Sequence, residues 1–138
     1  MLLGRFSSQI YALLRIVTGA VFALHGSQKL LGWPPMPHMA GAPKGPLPTL
    51  MIVAGVIELV CGLMVLIGFF ADIAAFVASG EMAIAYFMGH VMTSHTIWPV
   101  TNMGDPAVLF CFVFLFIAAS GAGIWSVDAA MRRGRMSV

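Results

Sequence analysis

The stretch FVASGEMAIAYFMGH, Phe76 to His90, decides how this chain is read. Ten of its fifteen residues are apolar, and Glu81 stands near the middle with no basic residue in the run. The surrounding segment, about Asp72–Met92, has the roughly 20 residues a helix needs to cross the hydrocarbon core of a bilayer. A carboxylate inside such a span costs about 2.5–3.5 kcal/mol on insertion scales, so it is expected to face inward and find a partner. The stretch therefore predicts a membrane helix with an acid held inside a bundle.

Composition agrees. Hydrophobic residues make up 60% of the 138 and charged residues 9%, against roughly 45–50% and about 25% in soluble domains. A formal charge of +2, with no basic face, excludes a nucleic-acid partner, because tracking a phosphate backbone takes many cations. Three further runs are long and apolar enough to span: about Ser8–Leu31, Pro48–Phe69 and Pro106–Trp125. Arg15 interrupts the first, and no small-x-small cleavage site follows it, so it reads as a span rather than a leader.

The connections carry turn chemistry. WPPMPHMAGAPKGP and TSHTIWPVTNMGDP are rich in helix-breaking residues. Gly68 to Ile73 must hold a tight turn, with Asp72 suited to cap the third helix. Asp105-Pro106 reads as N-cap and first helical position of the fourth. SGAG at Ser120–Gly123 falls inside an apolar span, where small residues permit close helix packing. Cys61 and Cys111 lie at depths differing by roughly 12 Å at helical rise, too far apart for a disulfide.

The fold class is thus all-α: a single integral membrane domain over residues 1–138, built as a four-transmembrane-helix bundle. Arg5, Arg132, Arg133 and Arg135 share one side with both termini, while Lys29 and Lys44 fall on the other. The positive-inside rule places both termini in the cytoplasm, for a multi-pass protein of the inner (plasma) membrane. Trp33, Trp98 and Trp125 then mark the two interfaces.

Counting helical rise from the cytoplasmic edge puts Arg15 at roughly 10 Å, Glu81 at roughly 13 Å and Glu58 at roughly 16 Å. Three ionisable residues in one layer are expected to converge, with Arg15 holding one carboxylate through its planar fork. The second glutamate is left to carry an exchangeable proton. Either the three form a structural clasp or they handle protons or substrate as the catalytic set. Gly19, Gly55 and Gly62 flank this layer and let helices touch.

Nearer the outer surface, His25 and His90 come out at roughly 25 Å. With Lys29 they are candidates to contact a bound quinone, since imidazole donates to carbonyls and titrates near neutral pH. His38 and His95 sit in the outer loops. His90 and His95 are five apart, which is not the pairing of zinc-binding helices, so no metal is implied. Flavin, haem, iron–sulfur and dinucleotide motifs are missing from the sequence.

The order of segments resembles the DoxX family of small four-helix membrane proteins. The matching pieces are LRIVTGAVFALHGSQKLLGW (Leu14–Trp33), VAGVIELVCGLMVLIGFF (Val53–Phe70), FVASGEMAIAYFMGH (Phe76–His90) and IWPVTNMGDPAVLFCFVFLFIAASGAGIWSVD (Ile97–Asp128). Family members often carry NGGE where this chain has Asn102-Met103-Gly104-Asp105, a shorter acid. The resemblance implies a membrane subunit of a thiosulfate:quinone-type oxidoreductase, with quinone as cofactor and other redox subunits as partners. The alternative it leaves open is a non-catalytic membrane anchor or assembly subunit of a redox complex. A proton-coupled carrier of a small solute also suits a buried carboxylate pair with an arginine.

Overall fold

The computed structural model describes residues 2–35 and 48–135. His38 and Lys44 lie outside them. A 3-10 turn, Gly4–Phe6, leads into α1, Ser7–Leu31; α2 spans Thr49–Ile67 and α3 Ala71–Ile84. A π-helical segment, Ala85–Val91, continues α3 into the short turns α4, Met92–Ser94, and α5, Pro99–Asn102. Helix α6 covers Asp105–Ser120 and α7 covers Val127–Arg135. The described residues contain no strand. Three helical stretches are long and apolar enough to cross a membrane, Gly4–Leu31, Thr49–Ile67 and Ala71–Ser94, and α6 is a shorter apolar helix.

Large apolar side chains point outward on every long helix, among them Val56, Val60 and Leu63 on α2 and Leu109 and Phe112 on α6. A helix that is apolar all round belongs in lipid. Inside, α3 presents Ala71, Ala74, Ala75 and Ala78, small residues that let α6 approach closely. Phe22 of α1 fills the space toward α6, meeting the rings of Phe110 and Phe114 at 5.5 and 4.6 Å between centroids.

Helices α1 and α2 touch backbone to backbone through glycines seven residues apart on each. A Cβ at Gly19 would lie 2.5 Å from Leu66 N, one at Gly26 2.4 Å from Leu59 N, and one at Gly62 2.5 Å from Ala23 N. These contacts fix the antiparallel register: Gly19 faces Gly62 and Gly26 faces Gly55. Gly80 on α3 is the contrast, with nothing within 4 Å of an added Cβ. Gly26→Ala is therefore expected to destabilise by about 1–3 kcal/mol through overpacking. Gly80→Ala should be neutral or gain up to about 1 kcal/mol of helix propensity. Denaturant titration in detergent distinguishes the two.

The fourth span ends five residues earlier than the sequence suggests. Gly121 takes φ 76 and ψ −169, a backbone region essentially confined to glycine, and Gly123 and Trp125 also have positive φ. SGAG is thus a helix breaker rather than a packing motif. Its loop turns the chain into α7, an amphipathic helix that sequence reasoning did not separate from the tail. Asp128 of α7 accepts hydrogen bonds from Phe70 N (3.0 Å) and Ala71 N (3.3 Å), capping α3 from across the fold. Asp72, expected in that role, only meets the neighbouring Ile73 N. The N-cap of α6 is Gly104 rather than Asp105, and Asn102 Oδ1 accepts the Gly104 N–H at 2.9 Å.

Candidate functional site

Arg15 is fully buried, 0% exposed, yet it does not join the glutamates. Its Nη1 donates to the carbonyls of Val65 (2.6 Å) and Leu66 (2.7 Å), and its Nη2 to those of Trp125 (2.7 Å) and Ile124 (3.4 Å). Val65 and Leu66 lie in the last turn of α2, where carbonyls lack helical partners and the helix dipole favours a cation. Arg15 is a cap for α2 and a staple to the loop before α7. The clasp with Glu58 and Glu81 expected from depth does not form.

The reason is register. The depth estimate assumes that helices start from a common plane, but α1 extends below the end of α2. Gly19 lies beside Gly62 and Gly26 beside Gly55, which sets Arg15 against the last turn of α2 and Glu58 against the middle of α1. Roughly eight residues of α1, about 12 Å, therefore separate Arg15 from the level of Glu58.

Glu58 pairs instead with Lys29, whose Nζ donates to Oε1 at 2.6 Å, the one ion pair among the described residues. Side chains on a helix lean toward its N-terminus. On antiparallel helices Lys29 thus leans down α1 while Glu58 leans up α2, and the two meet. Glu58 is 2% exposed, and its Oε2 is buried with no hydrogen-bond partner among the described residues. Glu81 Oε2 is buried and unpartnered in the same way. The charges of Glu58 and Lys29 act on Glu81, and that of Glu81 acts on Cys61, one turn beyond Glu58 on α2. Glu81 thus lies within electrostatic range of the Lys29–Glu58 pair. Of the three predicted catalytic residues, none is joined to another by a hydrogen bond or ion pair among the described residues, and Lys29 takes the place beside Glu58 given to Arg15.

The outer histidines are not joined to each other by any hydrogen bond or ring contact among the described residues. His25 is exposed on α1, edge-on to Phe110 at 6.1 Å. His90 lies in the π-helical segment, a geometry frequent at functional sites. Its Nδ1 faces the Asn102 carbonyl at 3.0 Å and its ring stacks on Tyr86. Asn102 in turn donates from Nδ2 to the Thr96 carbonyl. Asn102 and Gly104, rather than Asp105, are the structurally engaged members of the motif that departs from NGGE. Both cysteines are free, and Ser79 Oγ donates to the Cys111 carbonyl at 2.8 Å.

An open cleft of about 840 Å³ lies at the end carrying both termini, between Ser8, Tyr11, Phe116, Ser120, Asp128 and Arg132. It does not reach Lys29 or the glutamates. Tyr11, a residue the sequence did not single out, closes one wall and donates to the Gly121 carbonyl at 2.5 Å.

The DoxX sequence profile matches residues 10–91, which include Arg15, Lys29, Glu58, Glu81 and His90. The chain belongs to the DoxX family. An uncharacterized protein from Haemophilus influenzae is similar to it, 39% identical over 128 residues that cover 91% of this chain and 93% of the relative. No solved structure matches the chain significantly. As a DoxX protein with apolar helices of spanning length it is a multi-pass membrane protein in contact with lipid.

Proposed function

We propose that this DoxX protein is the membrane subunit of a quinone-linked oxidoreductase of the thiosulfate:quinone type. In this reading it is a four-helix bundle in the inner (plasma) membrane with both termini cytoplasmic, supported by Arg5, Arg132 and Arg133 at the terminal end. The observation that carries the proposal is the part-buried Lys29–Glu58 pair on α1 and α2, with Glu81 on α3, each glutamate keeping one buried oxygen without a donor among the described residues. Intramembrane ionisable groups of this kind mark proton or substrate pathways. A quinone supplies acceptance of two electrons and two protons. Two features support such a group: the exposed His25 imidazole offers a donor to a carbonyl, and the bare Glu81 oxygen offers an acceptor to a hydroxyl. Electrons come either directly from the sulfur substrate or through a partner subunit, since the sequence shows no flavin, haem or iron–sulfur motif.

Arg15 is left out of the chemistry and serves the scaffold. Glu81→Gln keeps the shape of the side chain and removes its proton exchange. It is expected to leave thermal stability within about 0.5 kcal/mol, as for other changes that break no partnered contact. It should slow quinone reduction by about 100-fold, the scale of a general acid–base group. The assay follows quinol formation in membranes containing the native complex with thiosulfate as donor, and native mass spectrometry reads bound quinone and subunits together. Full activity in the Glu81→Gln protein removes the proposal. A stoichiometric partner with no quinone favours the anchoring reading, for which the terminal-end cleft beside α7 is the available docking feature.

A further inference from the structure

Helix α6 is too short to cross a bilayer of ordinary thickness by itself. Its 16 residues rise about 24 Å, against a hydrocarbon core of about 30 Å. Gly121 ends the helix with a positive φ, and the chain swings away into α7. The open cleft of about 840 Å³ lies beside this break, between the last turn of α6, the Gly121–Ile124 loop, α7 and the start of α1.

The lining divides by chemistry. Phe70, Phe116 and Met131 are exposed apolar side chains on the cleft. Phe112, one turn from Phe116 on α6, is exposed as well, so an apolar track leads out of the cleft along α6. The charged lining is Asp72, Asp128 and Arg132. Asp128 gives both carboxylate oxygens to the N–H groups of Phe70 and Ala71. Asp72 accepts only from Ile73 N through Oδ1, and Arg132 donates only from Nε, to the Asp128 carbonyl. Among the described residues, an exposed carboxylate oxygen and the guanidinium Nη groups are thus left for a ligand. Two carboxylates to one guanidinium disfavour a headgroup of net negative charge.

We propose that the cleft binds a zwitterionic aminophospholipid of the phosphatidylethanolamine kind. Its ammonium meets Asp72, its phosphodiester meets Arg132, and an acyl chain follows Phe116 and Phe112. A primary ammonium brings three donors to a carboxylate, which a choline headgroup lacks. The bound lipid occupies depth that α6 leaves unspanned. The site is independent of the redox reading, because the cleft does not reach Lys29 or the glutamates.

Native mass spectrometry of the full chain in mild detergent tests this by titration with phosphatidylethanolamine, phosphatidylglycerol and phosphatidylcholine of matched acyl chains. The ethanolamine lipid should be retained about tenfold better than the other two, the scale of one charge-assisted hydrogen bond. Asp72→Asn, at an exposed position, should erase that preference, and Arg132→Gln should weaken all three lipids alike. Ser8→Trp, which fills the cleft from an exposed position on α1, should lose the adduct with no change in melting temperature. Equal retention of the three lipids by the wild type overturns the proposal, as does a preference that survives Asp72→Asn. Displacement by soluble glycerophosphoethanolamine as strong as by the intact lipid overturns the assignment to a membrane lipid. A co-purifying protein released by Ser8→Trp, with no lipid preference in the wild type, makes the cleft a protein dock instead. The wild-type titration decides even if a variant fails to fold.

Discussion

Replacing Arg15 with leucine is expected to lower the stability of the detergent-solubilised protein by about 4 kcal/mol. Three carbonyls, Val65, Leu66 and Trp125, each receive a guanidinium hydrogen bond of 2.6–2.7 Å. Leaving such buried groups bare costs roughly 1–3 kcal/mol each. Val65 loses least, because its carbonyl also accepts the Gly68 N–H at 3.2 Å. Arg15→Lys should recover only part of the loss, since a single ammonium cannot span two segments as the planar fork does. The decisive measurement is the double variant of Arg15→Leu with Glu58→Gln. With the two sites about 12 Å apart along α1, the effects should add within about 0.5 kcal/mol. Non-additivity beyond that margin would restore the arginine–glutamate clasp and overturn the register in which Gly19 faces Gly62.

Lys29→Met carries the second large effect. It leaves Glu58, 2% exposed, without its 2.6 Å partner, and breaking a buried pair on one side costs roughly 3–5 kcal/mol. About 3 kcal/mol is expected, because a stranded carboxylate neutralises rather than remain charged. Removing both partners, as Lys29→Met with Glu58→Gln, should recover most of that loss, with a coupling of about 1–3 kcal/mol. Double-variant stability no better than the single would show that the ion pair contributes nothing to holding α1 against α2. The two experiments together separate a scaffold cation, Arg15, from a site cation, Lys29.

Both effects follow from one structural fact, the glycine seam between α1 and α2. Its signal is present in the sequence: Gly19 and Gly26 are seven apart, as are Gly55 and Gly62. Aligning these pairs antiparallel sets Arg15 opposite Leu66 at the end of α2, where the structure has it. Estimating depth from helix ends misses this, because the ends of packed helices need not share a plane. Asp128 is harder to find. Its capping of α3 depends on the turn at Gly121 and Gly123, where positive φ values redirect the chain in a loop that Tyr11 and Arg15 of α1 hold by hydrogen bonds.

What the sequence alone determined is the helical character, the approximate spans, the inward-facing acids and the family, because apolar run length, turn residues and the cost of charge in lipid act locally along the chain. Which charges meet was decided by the tertiary structure. Side-chain tips lean toward each helix's own N-terminus, and the register between antiparallel helices is set by backbone contact at glycines. The cation on α1 that reaches Glu58 therefore depends on packing rather than on position in the chain.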